Sequence, residues 1–152
     1  MCEYCGCRGV EPIAALMDEH YTLRDLAGDL RRALLSGDLE WARRLKGELV
    51  ALLTTHVGLE EAGVFAALRE QGDFVAEVEL LEGQHVDLDR AFADLDLHAP
   101  AAASLLDRAV AQLSEHIDRE DLGIFPVAVV TLGASGWHTV DRAHTRRAPA
   151  VS

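Results

Sequence analysis

Aromatic residues are scarce in this 152-residue sequence, at 5% of the chain, and runs of β-branched residues are almost absent. Alanine and leucine fill most apolar positions, and this composition favours helices over strands. No apolar run approaches membrane-spanning length, and the N-terminus lacks the basic-then-apolar segment of a secretion signal. We therefore expect a cytoplasmic protein with no membrane partner, whose thiols are normally reduced.

Positive charge is also scarce. The 14 lysines and arginines are outnumbered by 26 aspartates and glutamates, which gives a formal net charge of −12. Such a chain is repelled by a phosphate backbone, so the charge argues against nucleic acid as a partner. The length suits one domain with a substantial core. Both a monomer and a homodimer are compatible with the sequence.

The sequence does contain a repeated motif. Residues 116–125 (HIDREDLGIF) repeat residues 56–65 (HVGLEEAGVF) almost position for position. Both copies read His-x-x-x-Glu, an acidic residue, any residue, then glycine, an aliphatic residue and phenylalanine. A lone histidine, in His-x-x-Leu, precedes each copy at positions 20 and 85. Each half of the chain therefore supplies a lone histidine and a His-x-x-x-Glu pair, whose two side chains share one face of a helix.

Apolar residues spaced by threes and fours predict four long helices. Their boundaries are marked by glycine, proline and aspartate signals, which we place near Pro12, Ser36, Asp38, Gln71, Asp73 and Pro100, with a kink at Pro126. In each helix the motif histidine occupies a core position. The midpoints between successive motif histidines fall on the three predicted turns, so in an up-down-up-down bundle the four histidines lie at one level.

These patterns predict an all-α fold. Residues 11–134 are expected to form an up-down-up-down four-helix bundle. A cysteine-containing segment over residues 1–10 precedes it, and a short C-terminal helix with a tail, residues 135–152, follows it.

A buried layer of four imidazoles and two carboxylates would cost several kcal/mol per group without partners. A converging set of nitrogen and oxygen ligands suits a transition metal such as iron. A zinc protease would need His-Glu-x-x-His, which is absent, and the ferritin-like site needs two Glu-x-x-His motifs, of which only Glu82-x-x-His85 is present. The predicted metal ligands are His20, His56, Glu60, His85, His116 and Glu120.

With these residues the sequence resembles the hemerythrin-like (HHE cation-binding) family over about residues 11–130. The resemblance rests on His20, His56-x-x-x-Glu60, His85 and His116-x-x-x-Glu120. It implies two iron ions with the four histidines as terminal ligands, the two glutamates as bridges and an oxo or hydroxo group as third bridge. Glu61 and Asp121 are competing assignments, but they lie about 140° round the helix from their histidines, which favours a place outside the ligand set.

Oxygen-carrying hemerythrins have a fifth histidine four residues after the third, where this sequence has Asp89. Without it, two six-coordinate irons keep roughly one open position each, unless Asp89 fills one. Two adjacent open positions suit hydrogen peroxide, nitric oxide or dioxygen reacting at both metals, as in a catalase- or peroxidase-like or a nitric-oxide-reactive protein. The alternatives are a dioxygen- or iron-binding or sensing protein without turnover, and an iron donor for iron–sulfur cluster repair.

Two further features have more than one interpretation. Cys2, Cys5 and Cys7 form C-x-x-C-x-C, which fits a reduced tail, a structural metal site such as zinc completed by a histidine, or a redox site. In the metal case the bundle topology favours His138 or His144 over His98 as fourth ligand. Phe65 and Phe125, which end the two motif copies, fit either core packing or a wall that keeps water from the irons.

Overall fold

The computed structural model describes residues 10–147, and these residues form helices and turns with no strand among them. The all-α expectation is confirmed. The helices are α1, Glu11–Ser36; α2, Leu39–Gln71, with a π-helical stretch at Glu61–Phe65; α3, Val75–Ala93; α4, residues 102–131, which is α-helical at Ala102–Arg119 and Phe125–Thr131 and π-helical at Glu120–Ile124; and α5, Ala134–Arg147.

Neighbouring long helices run antiparallel, as their side-chain contacts show. Arg24 contacts Asp118, and Arg31 contacts Asp107, so residue numbers rise along α1 while they fall along α4. The same inverse order relates α3 to α4 and α2 to α3, in the contacts Glu77–Arg119, Gln84–His116, Arg69–Glu82 and Lys46–Leu95. These mostly exposed pairs reveal the topology, but each contributes little to stability.

Two apolar clusters fill the bundle, one on each side of a layer of buried polar side chains. The cluster beside the α2–α3 turn includes Ile13, Leu16, Phe65, Leu68, Leu81 and Phe125. The cluster beside the α1–α2 turn includes Leu23, Leu30, Leu49, Leu88, Phe92 and Leu106. Each fully buried side chain of this size stabilises the fold by about 1.5–3 kcal/mol, so the bundle is held from both sides of the polar layer.

The predicted ends of α1 and α2 agree with the structure, whereas α4 begins at Ala102, two residues after the predicted Pro100, and the cap of α3 differs. Asp38 caps α2 by accepting a hydrogen bond from the Trp41 backbone N–H at 3.1 Å. Asp73 was expected to cap α3, and this is wrong: the cap position is Phe74, which has φ 58° and a half-exposed ring, while Asp73 accepts a hydrogen bond from Gln71. The chain leaves α2 through Gly72 at φ 80°, and this left-handed turn shifts the start of α3 by one residue.

α2 also departs from the sequence expectation about membranes. By length and composition alone, Leu39–Gln71 is apolar enough to cross a membrane. In the structure, however, 44% of its most apolar window is buried inside the protein, and it carries the buried side chains of His56 and Glu60. The core helix of a bundle passes the same test, so this composition is weak evidence for a membrane span.

α5 packs against the second half of α2, where Gly63 lets the two helices approach closely. A Cβ at Gly63 would lie 3.5 Å from the Ala143 Cβ and 3.8 Å from the Val140 Cα. The sequence places Gly123 at the equivalent position of the second motif, but no described atom lies within 4 Å of a Cβ there. The two motif copies thus differ in tertiary surroundings, because α5 covers only the first.

Replacing Gly63 with leucine should therefore separate α5 from α2. We expect Gly63→Leu to destabilise the protein by about 1–3 kcal/mol through overpacking, measured by chemical unfolding followed by circular dichroism. Gly83→Leu is the matched control, because Gly83 lies within α3 with open space around it, and a better helix former there should raise stability by up to about 1 kcal/mol. Equal effects of the two substitutions would contradict a close α2–α5 approach.

Candidate metal centre

Six buried side chains meet in the polar layer between the two apolar clusters. The four histidines are 2–5% exposed, and the two glutamates are fully buried. Potential ligand atoms fall into two groups, and the atoms of each group lie within 4.8 Å of one another. One group is His20, His56, Glu60 and Glu120. The other is His85, His116 and the same two glutamates. The structure thus brings together all six residues that the sequence suggested as ligands of the main site.

The two oxygens of Glu60 face opposite groups. Oε1 lies 2.6 Å from the His56 Nε2 and 3.4 Å from the His20 Nε2, whereas Oε2 lies 3.0 Å from the His85 Nε2. Two ligands at right angles around a transition metal, each about 2.0–2.2 Å from the ion, are themselves roughly 3 Å apart. These separations therefore suit ligands that share an ion.

Glu120 also faces both groups. Its Oε1 lies 3.0 Å from the His20 Nε2 and 3.3 Å from the His116 Nε2, and its Oε2 lies 3.6 Å from the His85 Nε2. Each glutamate therefore contacts histidines of both groups, which is the arrangement that a carboxylate bridging two ions needs.

Most of the inward-facing polar atoms have no partner with hydrogen-bond geometry among the described residues, although several lie within ion-pair distance of one another. This holds for the Nε2 atoms of His20, His56 and His85 and for all four carboxylate oxygens of Glu60 and Glu120. Buried polar atoms are normally hydrogen-bonded, and leaving them unpaired is costly. A pair of cations coordinated by these atoms removes that cost, so the residues present fit a two-metal site.

Each histidine is held from its outer side through Nδ1 by a residue of a neighbouring helix. The partners are Glu19 for His56 at 2.9 Å, Glu61 for His85 at 3.0 Å, Gln84 for His116 at 2.8 Å and Asp121 for His20 at 2.8 Å. Every helix thus supplies a partner for the next, and α4 returns to α1. Since coordination by Nε2 requires its lone pair, Nδ1 carries the proton and donates it to the partner's oxygen.

This ring gives Glu61 and Asp121 a place outside both ligand groups. Each orients the lone histidine of the adjacent helix rather than the histidine of its own motif. Sequence reasoning missed the other two partners, Glu19 and Gln84. A signal was available, because each directly precedes a lone histidine, once in each half of the chain.

Phenylalanines at the ends of the motif copies pack on the same lone histidines. The Phe65 ring stacks on His85 at a centroid distance of 5.6 Å, and the Phe125 ring stacks on His20 at 5.7 Å. In both pairs the angle between the ring planes is 9°. Both phenylalanines are fully buried. Each copy therefore holds the lone histidine of the adjacent helix at its edge by an acid and on its face by a phenylalanine, so these rings belong to the core and wall the site as well.

Both copies of the motif contain a π-helical stretch, which begins directly after Glu60 in the first copy, at Glu61–Phe65, and at the glutamate itself in the second, at Glu120–Ile124. The sequence predicted only a kink at Pro126. Proline cannot be the common cause, because the first copy forms the same π-helical turn without one. Wider turns of this kind occur often at functional sites. Here they carry the acid that contacts the neighbouring histidine; the first turn also ends at Phe65, and the second directly precedes Phe125.

Charges in the layer stabilise one another when no metal is bound. Burial lowers the pKa of His56 and of His85, but the neighbouring carboxylates outweigh burial and raise these pKa values to about 9 and about 11. Burial and the Glu60 carboxylate raise the pKa of Glu120, but the histidines outweigh both and lower it to about 2. Metal binding therefore has to displace protons from imidazolium groups.

Of the other residues selected from the sequence, His98, His138 and His144 lie outside both ligand groups. Cys2, Cys5 and Cys7 fall outside the described residues, so a metal or redox site there stays a prediction. His138 is exposed near the start of α5, and the half-buried His144 lies close to Gly63. His98 lines a surface hollow with Leu39, at the end of the bundle opposite Val10.

Comparison with known proteins gives one result. The family model described as the Hemerythrin HHE cation binding domain matches residues 11–128, which include all six residues of the two ligand groups. No curated protein and no solved structure matches the chain.

The raised histidine pKa values predict how metal-free protein responds to pH. The pKa of His56 is about 9 in the folded protein, against 6.5 for a solvated histidine in the unfolded chain, so its stabilising charge is present below pH 6.5 and is lost as the pH rises to about 9. We expect the free energy of unfolding to fall across this window by up to about 1.4 kcal/mol per pH unit for each such histidine, measured by urea unfolding.

The control for this experiment is Val130→Gln, which changes an exposed residue without a titratable group and should leave the pH dependence as it is. His56→Gln should make the dependence shallower. Stability of the metal-free protein that stays constant or increases between pH 6.5 and 9 would contradict the charge state assigned to the layer.

Proposed function

The chain belongs to the hemerythrin HHE cation-binding domain family, and from this premise we propose that it holds two iron ions and reacts with small oxidants. Hydrogen peroxide, nitric oxide and dioxygen are the candidate reactants. The observation that carries the proposal is that two ligand groups, each with two histidines, share Glu60 and Glu120. Six ligands divided in this way are too many for one ion that keeps open positions.

In the proposed site His20 and His56 hold one ion, and His85 and His116 hold the other. Glu60 and Glu120 connect the two positions, because each places its oxygens near histidines of both groups. Iron, when bound, supplies the open coordination positions and the electrons that a small oxidant requires. The protein's part is to fix the two ions side by side, so that one small molecule can meet both.

Three features of the chain support reaction with small molecules rather than larger substrates. The ligand layer is almost fully buried, and apolar clusters close it on both sides. Phe65 and Phe125 cover faces of two ligand rings and exclude water there. The outer partners keep each histidine in the tautomer that directs Nε2 inward. A site of this kind admits a diatomic molecule or peroxide, whereas a bulky substrate would require the helices to separate.

The position of Asp89 supports open coordination positions. The sequence alone left Asp89 as a candidate to fill one of them. In the structure Asp89 is exposed and lies outside both ligand groups. With only the six buried residues as protein ligands, about one position per iron stays open, which favours reaction at both ions over carriage of dioxygen at one.

Elemental analysis of the purified chain tests the metal count. We expect about two irons per chain, and we expect His56→Ala and Glu120→Ala to lose iron because each leaves other buried polar atoms without a partner. Asp89→Ala is the control and should keep both irons, since Asp89 is exposed. One metal per chain, zinc in place of iron, or unchanged iron in both ligand variants would refute the site.

Mixing the reduced, iron-loaded protein with each oxidant tests the reaction. We expect repeated disproportionation of hydrogen peroxide to water and dioxygen, or repeated reduction of nitric oxide when an electron donor is added in excess, followed by absorption spectroscopy and oxidant consumption. A reversible dioxygen band without turnover would show a binding or sensing protein instead. Restoration of a damaged iron–sulfur enzyme, with loss of iron from this chain, would show an iron donor.

A further inference from the structure

The ring of outer partners breaks the chain's internal repeat at one position. Three histidines donate their Nδ1–H to carboxylates, those of Asp121, Glu19 and Glu61. The fourth, His116, donates to the amide oxygen of Gln84 at 2.8 Å. Glu19 and Gln84 are equivalent in the repeat, because each directly precedes a lone histidine. The two halves therefore supply different chemistry at the same place.

This difference changes the strength of a metal ligand. A carboxylate that accepts a hydrogen bond from Nδ1 makes a charge-assisted bond and increases the electron donation of Nε2 to a metal. A neutral amide oxygen increases the electron donation of Nε2 less than a carboxylate does. His116 is therefore the weakest donor of the four histidines. An ion held by His85 and His116 is bound less tightly than its neighbour, and its less highly charged, reduced state is favoured.

A second observation distinguishes the same position. A surface cavity of about 200 Å³ is lined by Gln84 and His116 together with Asp87, Leu88, Gln112 and Glu115. His116 is also the most exposed of the four histidines, at 5% against 2–3% for the others. The neutral hydrogen bond therefore lies beside a surface cavity. So does the hydrogen bond between Glu61 and His85, the other histidine of the same group, which lines a cavity of about 440 Å³. Both weaker donation and better access act on one ion.

From the proposed two-iron site we infer that its two positions are inequivalent and that Gln84 determines the difference. The ion held by His85 and His116 is the one released first and reduced first. Gln84 is a positioning residue, since it acts through the His116 ring.

Iron release from the loaded full-length chain into an excess of chelator tests this inference. We expect two phases of one equivalent each in the unaltered protein. Gln84→Glu should slow the fast phase by about 10–100-fold, the usual range for changes in such outer partners. Glu19→Gln, the reciprocal change, should speed the slow phase by a similar factor, because it gives His56 the neutral partner.

Gln112→Glu is the matched control. It adds the same charge to the same cavity and leaves the Gln84–His116 hydrogen bond in place. We expect little change in the release rate. If Gln112→Glu slows release as much as Gln84→Glu, charge in the cavity rather than the hydrogen bond to His116 controls the rate, and the inference is overturned.

A redox titration provides the second readout. The two one-electron steps should be separated in the unaltered protein and should move closer together in Gln84→Glu. Release of both irons in a single phase, or redox steps that Gln84→Glu leaves unchanged, overturns the inference. If Gln84→Glu fails to hold two irons, Glu19→Gln decides: a faster slow phase supports the inference, and an unchanged rate overturns it.

Failure of this inference is distinguishable from failure of the proposed function. An unaltered protein that holds two irons and releases them in one phase keeps the proposed function and loses the inequivalence. An unaltered protein that never holds two irons refutes both.

Discussion

The burial of six polar groups in an apolar bundle is the constraint on which the rest of this structure depends. Four imidazoles and two carboxylates occupy one layer, and most of their inward-facing atoms have no hydrogen-bond partner among the described residues. Mutual attraction between imidazolium and carboxylate offsets part of the desolvation cost, but coordination of cations satisfies all of the groups together. The two apolar clusters on either side supply the stability that makes such a layer tolerable.

The site is assembled between helices rather than within them. Each motif pair comes from a single helix, but its histidine is oriented by the preceding helix, and its acid and phenylalanine hold the lone histidine of the adjacent one. Displacing one helix would therefore disturb ligands on two others. This mutual dependence explains how four separate helices can hold the ligand atoms within a few ångströms of one another.

The internal repeat produces approximate two-fold symmetry, and the chain departs from it in two places. α5 covers Gly63 but leaves the space beside Gly123 open, and Gln84 stands where the other half has Glu19. The first departure affects packing of the apolar cluster that includes Phe65, because Val140 and Ala143 of α5 belong to that cluster. The second lies in direct contact with the buried His116, so it can make the two ligand groups chemically different.

Sequence alone was sufficient for the helices, the all-α class and the six residues that converge in the layer. Helix periodicity and the His-x-x-x-Glu spacing are local properties, and residues four apart share a face wherever the helix lies. The partners that orient each histidine, such as Glu19 for His56, were decided by tertiary structure, because they come from different helices. Tertiary structure also decided the π-helical turns and the cavity beside His116. It decided as well that Phe74, and not Asp73, caps α3. Each depends on how closely neighbouring backbones approach, and that distance is set by packing of the whole bundle rather than by the residues of one segment.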